Sequence, residues 1–376
     1  MENVNRYQRY QRQVILKEFG ESAQDKLKQS CVIVIGAGGL GCPLLQYLAA
    51  AGVGTLGIVD DDTVALTNLQ RQVLFTENDI GRPKAERAAS RIRELNSDIE
   101  VIPFKLRLTS KNALGVLRPF DVVIDGTDNF SSRYMINDAC VLLSKPLVYG
   151  AISRYEGQVA VFSYSRSENN STTSYRDLFP ELLKDDEALN CEETGVLGVL
   201  PGIVGTLMAN ETIKIITGIG ELMSNQVFTY NALNNQSYLV TLVPQKATQS
   251  LIPPDEESFA QTDYELLCRS TSRKFEIDIE KFNSLLTGGD VTVIDVREPD
   301  EIPEVNEFAT EKIPLAQLKE NLGGIKNNTI VFFCQNGKRS LQAAQWSFDH
   351  FGNSKNIYSL QDGILQWKKM QAKLSA

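Results

Sequence analysis

Two short segments carry residue types and spacings that can do chemistry. The first is Gly36-Ala37-Gly38-Gly39-Leu40-Gly41, a G-x-G-x-x-G run between an apolar stretch and a helical pattern. Glycines there permit a tight turn and a close approach of backbone to phosphate, and the helix start offers free N–H groups and a partial positive charge. Asp60 ends the next apolar stretch, the place where a carboxylate can take ribose hydroxyls. Taken alone, this describes a nicotinamide dinucleotide site. The second segment is Cys334-Gln335-Asn336-Gly337-Lys338-Arg339, a strand running into a cysteine, a short loop and then a helix. Backbone N–H groups of Gln335 to Arg339, the helix dipole and the two cations would favour a thiolate or persulfide on Cys334.

Further polar residues follow the strand ends after the glycine loop. VDDDTVALTNLQRQ ends with Asn68, Gln70, Arg71 and Gln72, Lys84 opens a helix, and Asp128 follows the fourth strand with Arg133 and Asn137 beyond it. A dinucleotide needs little cationic help beyond its helix. A triphosphate needs several cations and a metal ligand before a nucleophile can attack it. Singly, Lys84 and Arg71 read as solvated surface residues and Asp128 as a helix N-cap. Together they follow successive strand ends, which converge on one crevice in a doubly wound sheet.

The elements that would hold them alternate in type. Residues 31–41 are expected to form a buried strand turning into a helix, further strands are expected at 55–60, 99–104, 120–126 and 146–152, and helices around 84–95 and over 131–143. Such alternation predicts a Rossmann-like, doubly wound α/β sheet. Antiparallel strands are expected at 158–164 and 226–243 around a helix at 202–217, which makes the sheet mixed. Residues 165–190 read as a long polar loop, and 244–262 as a Pro-, Ser- and acid-rich linker. A second, small α/β domain begins near Phe275. The expected division is 1–243, a linker at 244–272, and 273–376.

The 376 residues suit two domains at roughly 150 residues each, and 38 basic against 47 acidic residues give a net charge of −9. That balance argues against broad capture of nucleic acid or an anionic membrane, though not against a local basic pocket. The 6 cysteines include no C-x-x-C pair, so neither a disulfide framework nor a zinc knuckle is indicated. The first thirty residues show no apolar signal core, and no uncharged apolar run reaches about 20 residues. A cytoplasmic protein is the expectation.

RYQRQVILKEFG, GAGGLGCP, DDDTVALTNLQRQ, GRPKAERA, DGTDNFSSRYMIND and ETGVLGVLPGIVG, in this order, resemble the MoeB/ThiF adenylyltransferases, bacterial relatives of the ubiquitin-activating enzymes. The resemblance spans about residues 5–243. It implies a homodimer that uses ATP and Mg²⁺ to adenylate the C-terminal glycine of a small ubiquitin-like sulfur-carrier protein ending in Gly-Gly. The implied nucleotide contacts are Gly36, Gly38, Gly39, Gly41, Asp60, Asp62, Asn68, Arg71, Gln72, Lys84, Asp128 and Asn129, with Asp128 holding the metal. Arg12 would enter the partner's site as an arginine finger, and Cys191 would form a thioester or resolve a disulfide intermediate. Many relatives bind structural zinc through two C-x-x-C pairs. Those pairs would fall near SYSRSENN and VPQKATQS, where this chain has no cysteine. No zinc is expected, so another device must hold those segments.

VIDVREPDE, IVFFCQNGKRSLQAAQ and LQDGILQWKK resemble rhodanese domains over about 273–376, with ATEKIPLAQ departing from the usual glycine and histidine pattern. Asp295 and Arg297 read as structural, and the lone His350 as a surface helix residue. A dual-specificity phosphatase has five residues between its cysteine and arginine; here 335–338 intervene, a tighter loop that suits sulfur. The two halves imply adenylation followed by attack of a Cys334 persulfide, giving a thiocarboxylate, with the sulfur supplied by a donor such as a cysteine desulfurase. The alternatives are an activating enzyme that keeps a stable thioester at Cys191, an NAD-dependent oxidoreductase, and a carrier-binding scaffold without chemistry.

Overall fold

A computed structural model describes residues 7–166, 171–180, 182, 195–268 and 275–374. The chain divides into two compact units, at 1–268 and 269–376.

The first unit is built on one eight-stranded mixed sheet. Its strands are β1 (Cys31–Ile35), β2 (Thr55–Val59), β3 (Glu100–Phe104), β4 (Val122–Asp125), β5 (Leu147–Ser153), β6 (Glu156–Phe162), β7 (Gln226–Asn231) and β8 (Gln236–Thr241). The order is β3-β2-β1-β4-β5-β6-β7-β8. The first five strands run parallel, and β6, β7 and β8 are added antiparallel. Strand β1 is a run of β-branched residues buried on both faces, as expected of a central parallel strand. Strand order reverses at β1, between β2 and β4. The register there places Ile35 beside both Val59 and Asp125. Gly36, Asp60 and Gly126 therefore leave the sheet side by side, at the crevice where such folds bind ligands.

One core covers one face of the sheet and includes the helices Gly41–Ala51, Lys84–Leu95 and Val199–Thr217. A second core covers the other face, around the helix Phe130–Leu142. The helix Val199–Thr217 is apolar and long enough to cross a membrane by length and composition. Leu200, Val204, Met208 and Ala209 instead lie in the first core.

Two expectations are corrected here. Residues 171–180 do not all belong to a polar loop. The short helix Tyr175–Leu178 buries Tyr175 among the rings of Tyr134, Tyr149, Phe162 and Phe179. The stretch from 244 is not a linker as far as residue 268. Phe259, Tyr264 and Cys268 enter the second core. A few apolar anchors outweigh a composition that reads as unfolded, because each buried aromatic side chain contributes about 1.5–3 kcal/mol.

Hydrogen bonds join residues 174–177 to the stretch from 244. The Asp177 carboxylate accepts from the Gln245 N–H (2.9 Å) and the Thr248 hydroxyl (2.5 Å). Its other oxygen accepts from the Ser174 N–H (2.8 Å). Beside it, the buried Arg176 binds Asp138 through two bonds (2.9 and 2.6 Å), and the Tyr264 hydroxyl donates to Asp138 (2.8 Å). One helix, the segment at 173–179 and the stretch from 244 are thereby locked together.

The second unit has a five-stranded parallel sheet ordered β11-β10-β12-β13-β9. These strands are β9 (Glu276–Ile277), β10 (Val291–Asp295), β11 (Glu311–Lys312), β12 (Thr329–Phe333) and β13 (Asn356–Leu360). Apolar clusters cover both of its faces.

Candidate active sites: a glycine loop and a cysteine loop

The glycine loop turns at Gly36, whose φ is +94°. A Cβ there would stand 2.9 Å from the Gly126 carbonyl oxygen, and one at Gly41 would collide with the Gly36 carbonyl. These two glycines are required by backbone packing between strand, loop and helix. Gly38 faces open space, with only the Gln72 amide at 3.8 Å, while Gly39 lies against Pro201 and Arg71. Asp60 fastens the loop: its carboxylate accepts from the Ala37 N–H (2.8 Å) and the Asp62 N–H (2.9 Å). Burial pushes the Asp60 carboxyl up, and Lys84 and these two N–H groups oppose that shift.

Lys84 is not a solvated surface residue. It is 6% exposed at the first turn of its helix, and its ammonium pairs with Asp62 at 2.9 Å. Its charge also acts on Asp60 and on Cys42. Arg71 is half-buried and donates to the Thr67 carbonyl (3.1 Å). Gln72 is 3% exposed, and its Oε1 has no partner among the described residues. Asn68 is partly committed, because its side-chain oxygen accepts from the Ala65 N–H (3.0 Å).

Beyond β4, the helix Phe130–Leu142 is capped by Asn129, which accepts from the Ser132 N–H (2.9 Å). Asp128 is therefore not the N-cap. It is exposed, with no hydrogen bond or ion pair among the described residues. The neighbouring Thr127 is pinned from two sides. Asp125 accepts its N–H and hydroxyl (2.9 and 2.7 Å), and Arg133 donates to its carbonyl (3.0 Å). Asn137 faces inward instead, accepting from the Tyr175 N–H (2.7 Å). Arg12 stands outside this group. It is exposed on the short helix Gln11–Val14 and has no hydrogen bond or ion pair among the described residues. Cys191 lies outside the described residues. Cys42 is fully buried and its thiol is pushed up to about 12 by burial, so it is no nucleophile at neutral pH.

In the second unit Cys334 follows β12 and is fully buried. The Arg339 side chain reaches its sulfur from the first turn of the following helix. The sulfur's other neighbours are the Ser340 hydroxyl (3.6 Å) and the Asn336 side chain (3.8 Å). Ser359 donates to Ser340 in turn (2.8 Å), and Ser340 also reaches the Gly337 carbonyl (2.9 Å). The loop rests on the turn at Asp362 and Gly363. A Cβ on Gly363 would meet Cys334 O and Asn336 N at 2.6 Å. Sequence reasoning placed Lys338 and Arg339 at the sulfur but missed Glu301, whose carboxylate grips Arg339 through two contacts (2.5 and 2.6 Å). The motif VREPDE held that signal, although nothing in its local spacing points to a partner 38 residues away. Asp295 and Arg297 form a buried pair at 2.7 Å, a structural role. His350 is exposed, its ring edge-on to Phe351.

Residues 10–251 match the ThiF family and 278–370 the rhodanese-like domain. A sulfur carrier protein adenylyltransferase of Thermus thermophilus is 46% identical over 69% of this chain and 96% of its own. The MoeZ adenylyltransferase/sulfurtransferase of Mycobacterium tuberculosis is 38% identical over 96% of this chain and 92% of its own. Among solved structures, MccB of E. coli shares the fold, with a TM-score of 0.56 at 22% identity over 65% of this chain and 74% of that one. The chain belongs to the ThiF family and carries a rhodanese-like domain behind it. It is an enzyme that joins an adenylyltransferase to a sulfurtransferase.

Proposed function

We propose that the protein adenylates the C-terminal glycine of a small ubiquitin-like sulfur-carrier protein with ATP and then converts it to a thiocarboxylate. The observation that carries this reading is the meeting of the glycine loop, Asp60 and the buried Lys84 beyond the ends of β1 and β2. A dinucleotide site has no need of a buried ammonium at a helix start. A triphosphate does, because its charge must be screened as the carboxylate approaches.

In the first step a glycine carboxylate oxygen attacks the α-phosphorus. The bond from that phosphorus to the bridging oxygen breaks, and pyrophosphate leaves. Gly38 lets the backbone approach the phosphates, Asp60 takes the ribose, and Arg71 and Lys84 meet the phosphate charge. Catalysis is positioning plus charge neutralisation, with no general base required. Asp128 suits Mg²⁺, since it is an exposed hard oxygen donor with no other partner among the described residues. When bound, the ion would screen phosphate charge. In a homodimer Arg12 would reach the partner's site; Ile15 and Leu16, 65% and 55% exposed beside it, supply apolar surface for such an interface.

In the second step the outer sulfur of a Cys334 persulfide attacks the acyl carbon and AMP leaves, giving an acyl disulfide. Attack by Cys191 on the Cys334 sulfur releases the thiocarboxylate and leaves a Cys191–Cys334 disulfide, which an external dithiol reduces. The persulfide itself comes from a donor such as a cysteine desulfurase, in the cytoplasm. ATP–pyrophosphate exchange with and without a Gly-Gly-ending carrier tests the first step. Carrier-dependent exchange supports it. Binding of NAD with no exchange would replace it with the oxidoreductase reading.

A further inference from the structure

Outside the nucleotide crevice, one polar relay has no role in the steps above. Glu301 and Arg339 form a two-pronged pair, with N to O distances of 2.5 and 2.6 Å, between the loop after β10 and the first turn of the helix Lys338–Phe351. Both side chains are sheltered, 25% and 33% exposed, which places the pair well above an ordinary surface ion pair. Glu301 is itself held. Its carboxylate accepts from the Glu298 N–H (2.8 Å). Its loop is tied down by Arg297, which donates to the Pro303 carbonyl (3.0 Å) while its other nitrogens bind Asp295. At the far end, the Arg339 side chain also hydrogen-bonds the Cys334 sulfur, and Glu301 and that sulfur together raise the guanidinium's pKa.

We propose that Glu301 is a positioning residue for sulfur chemistry at Cys334: its fork fixes the Arg339 guanidinium beside the sulfur, and Asp295 and Arg297 fix the loop that carries Glu301. This rests on the reading of Cys334 as the sulfur carrier, and it gives the motif DVREPDE a task within that reading. An arginine free to rotate spends its time in water and stabilises a buried sulfur anion weakly. One clamped by a carboxylate is preorganised. The carboxylate is also a negative charge near the sulfur, so the two effects oppose each other. The clamp wins because the guanidinium touches the sulfur directly while no contact joins Glu301 to it among the described residues, and the nearer charge dominates. The other charged groups around this loop are Arg297 and Glu298 from the β10 side, Lys338 on the same helix turn, and Asp362 on the turn below.

The test uses the full chain with Glu301→Ala, Glu301→Gln, Arg339→Ala and the Glu301→Ala, Arg339→Ala pair. Alkylation of Cys334 by iodoacetamide is followed against pH, read at the Cys334 peptide by mass. Glu301→Ala is expected to move the alkylation midpoint up by about one pH unit and to slow the reaction about tenfold below it. Glu301→Gln, which keeps one acceptor for the fork, should fall between it and the unaltered protein. The double variant should react no more slowly than Arg339→Ala alone, since without the arginine Glu301 has only its own repulsion to exert on the sulfur. Melting of the full-length variants followed by the fluorescence of Trp346 and Trp367, both in the second unit, reports that this unit is folded. A profile unchanged or shifted down in Glu301→Ala, or losses that add in the double variant, would overturn the proposal. The alkylation needs no sulfur donor or carrier, so its outcome stands apart from whether the protein makes a thiocarboxylate.

Discussion

Lys84 and Asp62 form a lopsided pair. Their charged atoms are 2.9 Å apart, yet the lysine side chain is 7% exposed and the aspartate 70%. The carboxylate is solvated and gains little from the contact, while the ammonium, withdrawn from water, needs an anion. An incoming phosphate has to replace Asp62 or share Lys84 with it. Asp62→Asn is therefore expected to tighten ATP binding about two- to fivefold by calorimetry. Weaker binding would mean that Asp62 contacts the nucleotide itself, as the family resemblance implies.

Asp128 has no structural task among the described residues, and the cap of its helix is Asn129. Asp128→Ala should leave the melting temperature within error and lower pyrophosphate exchange by about two orders of magnitude or more. Thr127→Val should be milder. It keeps the N–H bond to Asp125 but loses the hydroxyl bond of 2.7 Å. A drop in stability with Asp128→Ala, and no loss of exchange, would assign Asp128 to the fold.

The Asp177 carboxylate joins 173–179 to the stretch from 244. Asp177→Ala strands the Ser174 and Gln245 N–H groups and leaves the buried Thr248 hydroxyl only the Gln245 carbonyl, at an expected cost of about 2–3 kcal/mol in chemical unfolding. Treatment with a strong chelator should leave the melting curve unmoved. A chelator-sensitive melt would show that a metal, and not this carboxylate, joins the segments.

Acid should weaken the first unit through Asp79. Burial alone would push this carboxyl up, but the Thr76 N–H, the Arg87 guanidinium and the Thr76 hydroxyl outweigh it and hold the group at about 2. A folded value below the unfolded one stabilises at pH above about 4, and the gain is lost as pH falls from there towards 2. Urea unfolding at pH 7 and pH 3 should differ less in Asp79→Asn than in the unaltered protein, by about 1 kcal/mol. An equal difference in both would remove Asp79 from the acid response.

Much of this was legible because backbone demands leave sequence marks. Gly36 and Gly41 admit no side chain, and the β-branched run of β1 has to be central. Spacing also placed Lys84 and Asp60 at strand ends. What was hidden depends on tertiary burial. Statistics put a lone lysine on the surface, whereas Lys84 is buried by the fold around Asp62. The stretch from 244 reads as a linker by composition, and only the pockets that receive Phe259 and Tyr264 make it structure. Glu301 gained its meaning from Arg339, which reaches it only when the second sheet has formed. Its partner lies beyond the reach of any local pattern.

The central claim is that one chain activates a carrier's terminal carboxylate and then replaces an oxygen with sulfur. The most direct test is the intact mass of a Gly-Gly-ending carrier after incubation with the protein, ATP, Mg²⁺, a cysteine desulfurase with cysteine, and a dithiol reductant. The account predicts a carrier heavier by the exchange of one oxygen for one sulfur, absent with Cys334→Ala and absent without ATP. A carrier that remains unchanged in mass, or that accumulates as a stable thioester on Cys191, would contradict it.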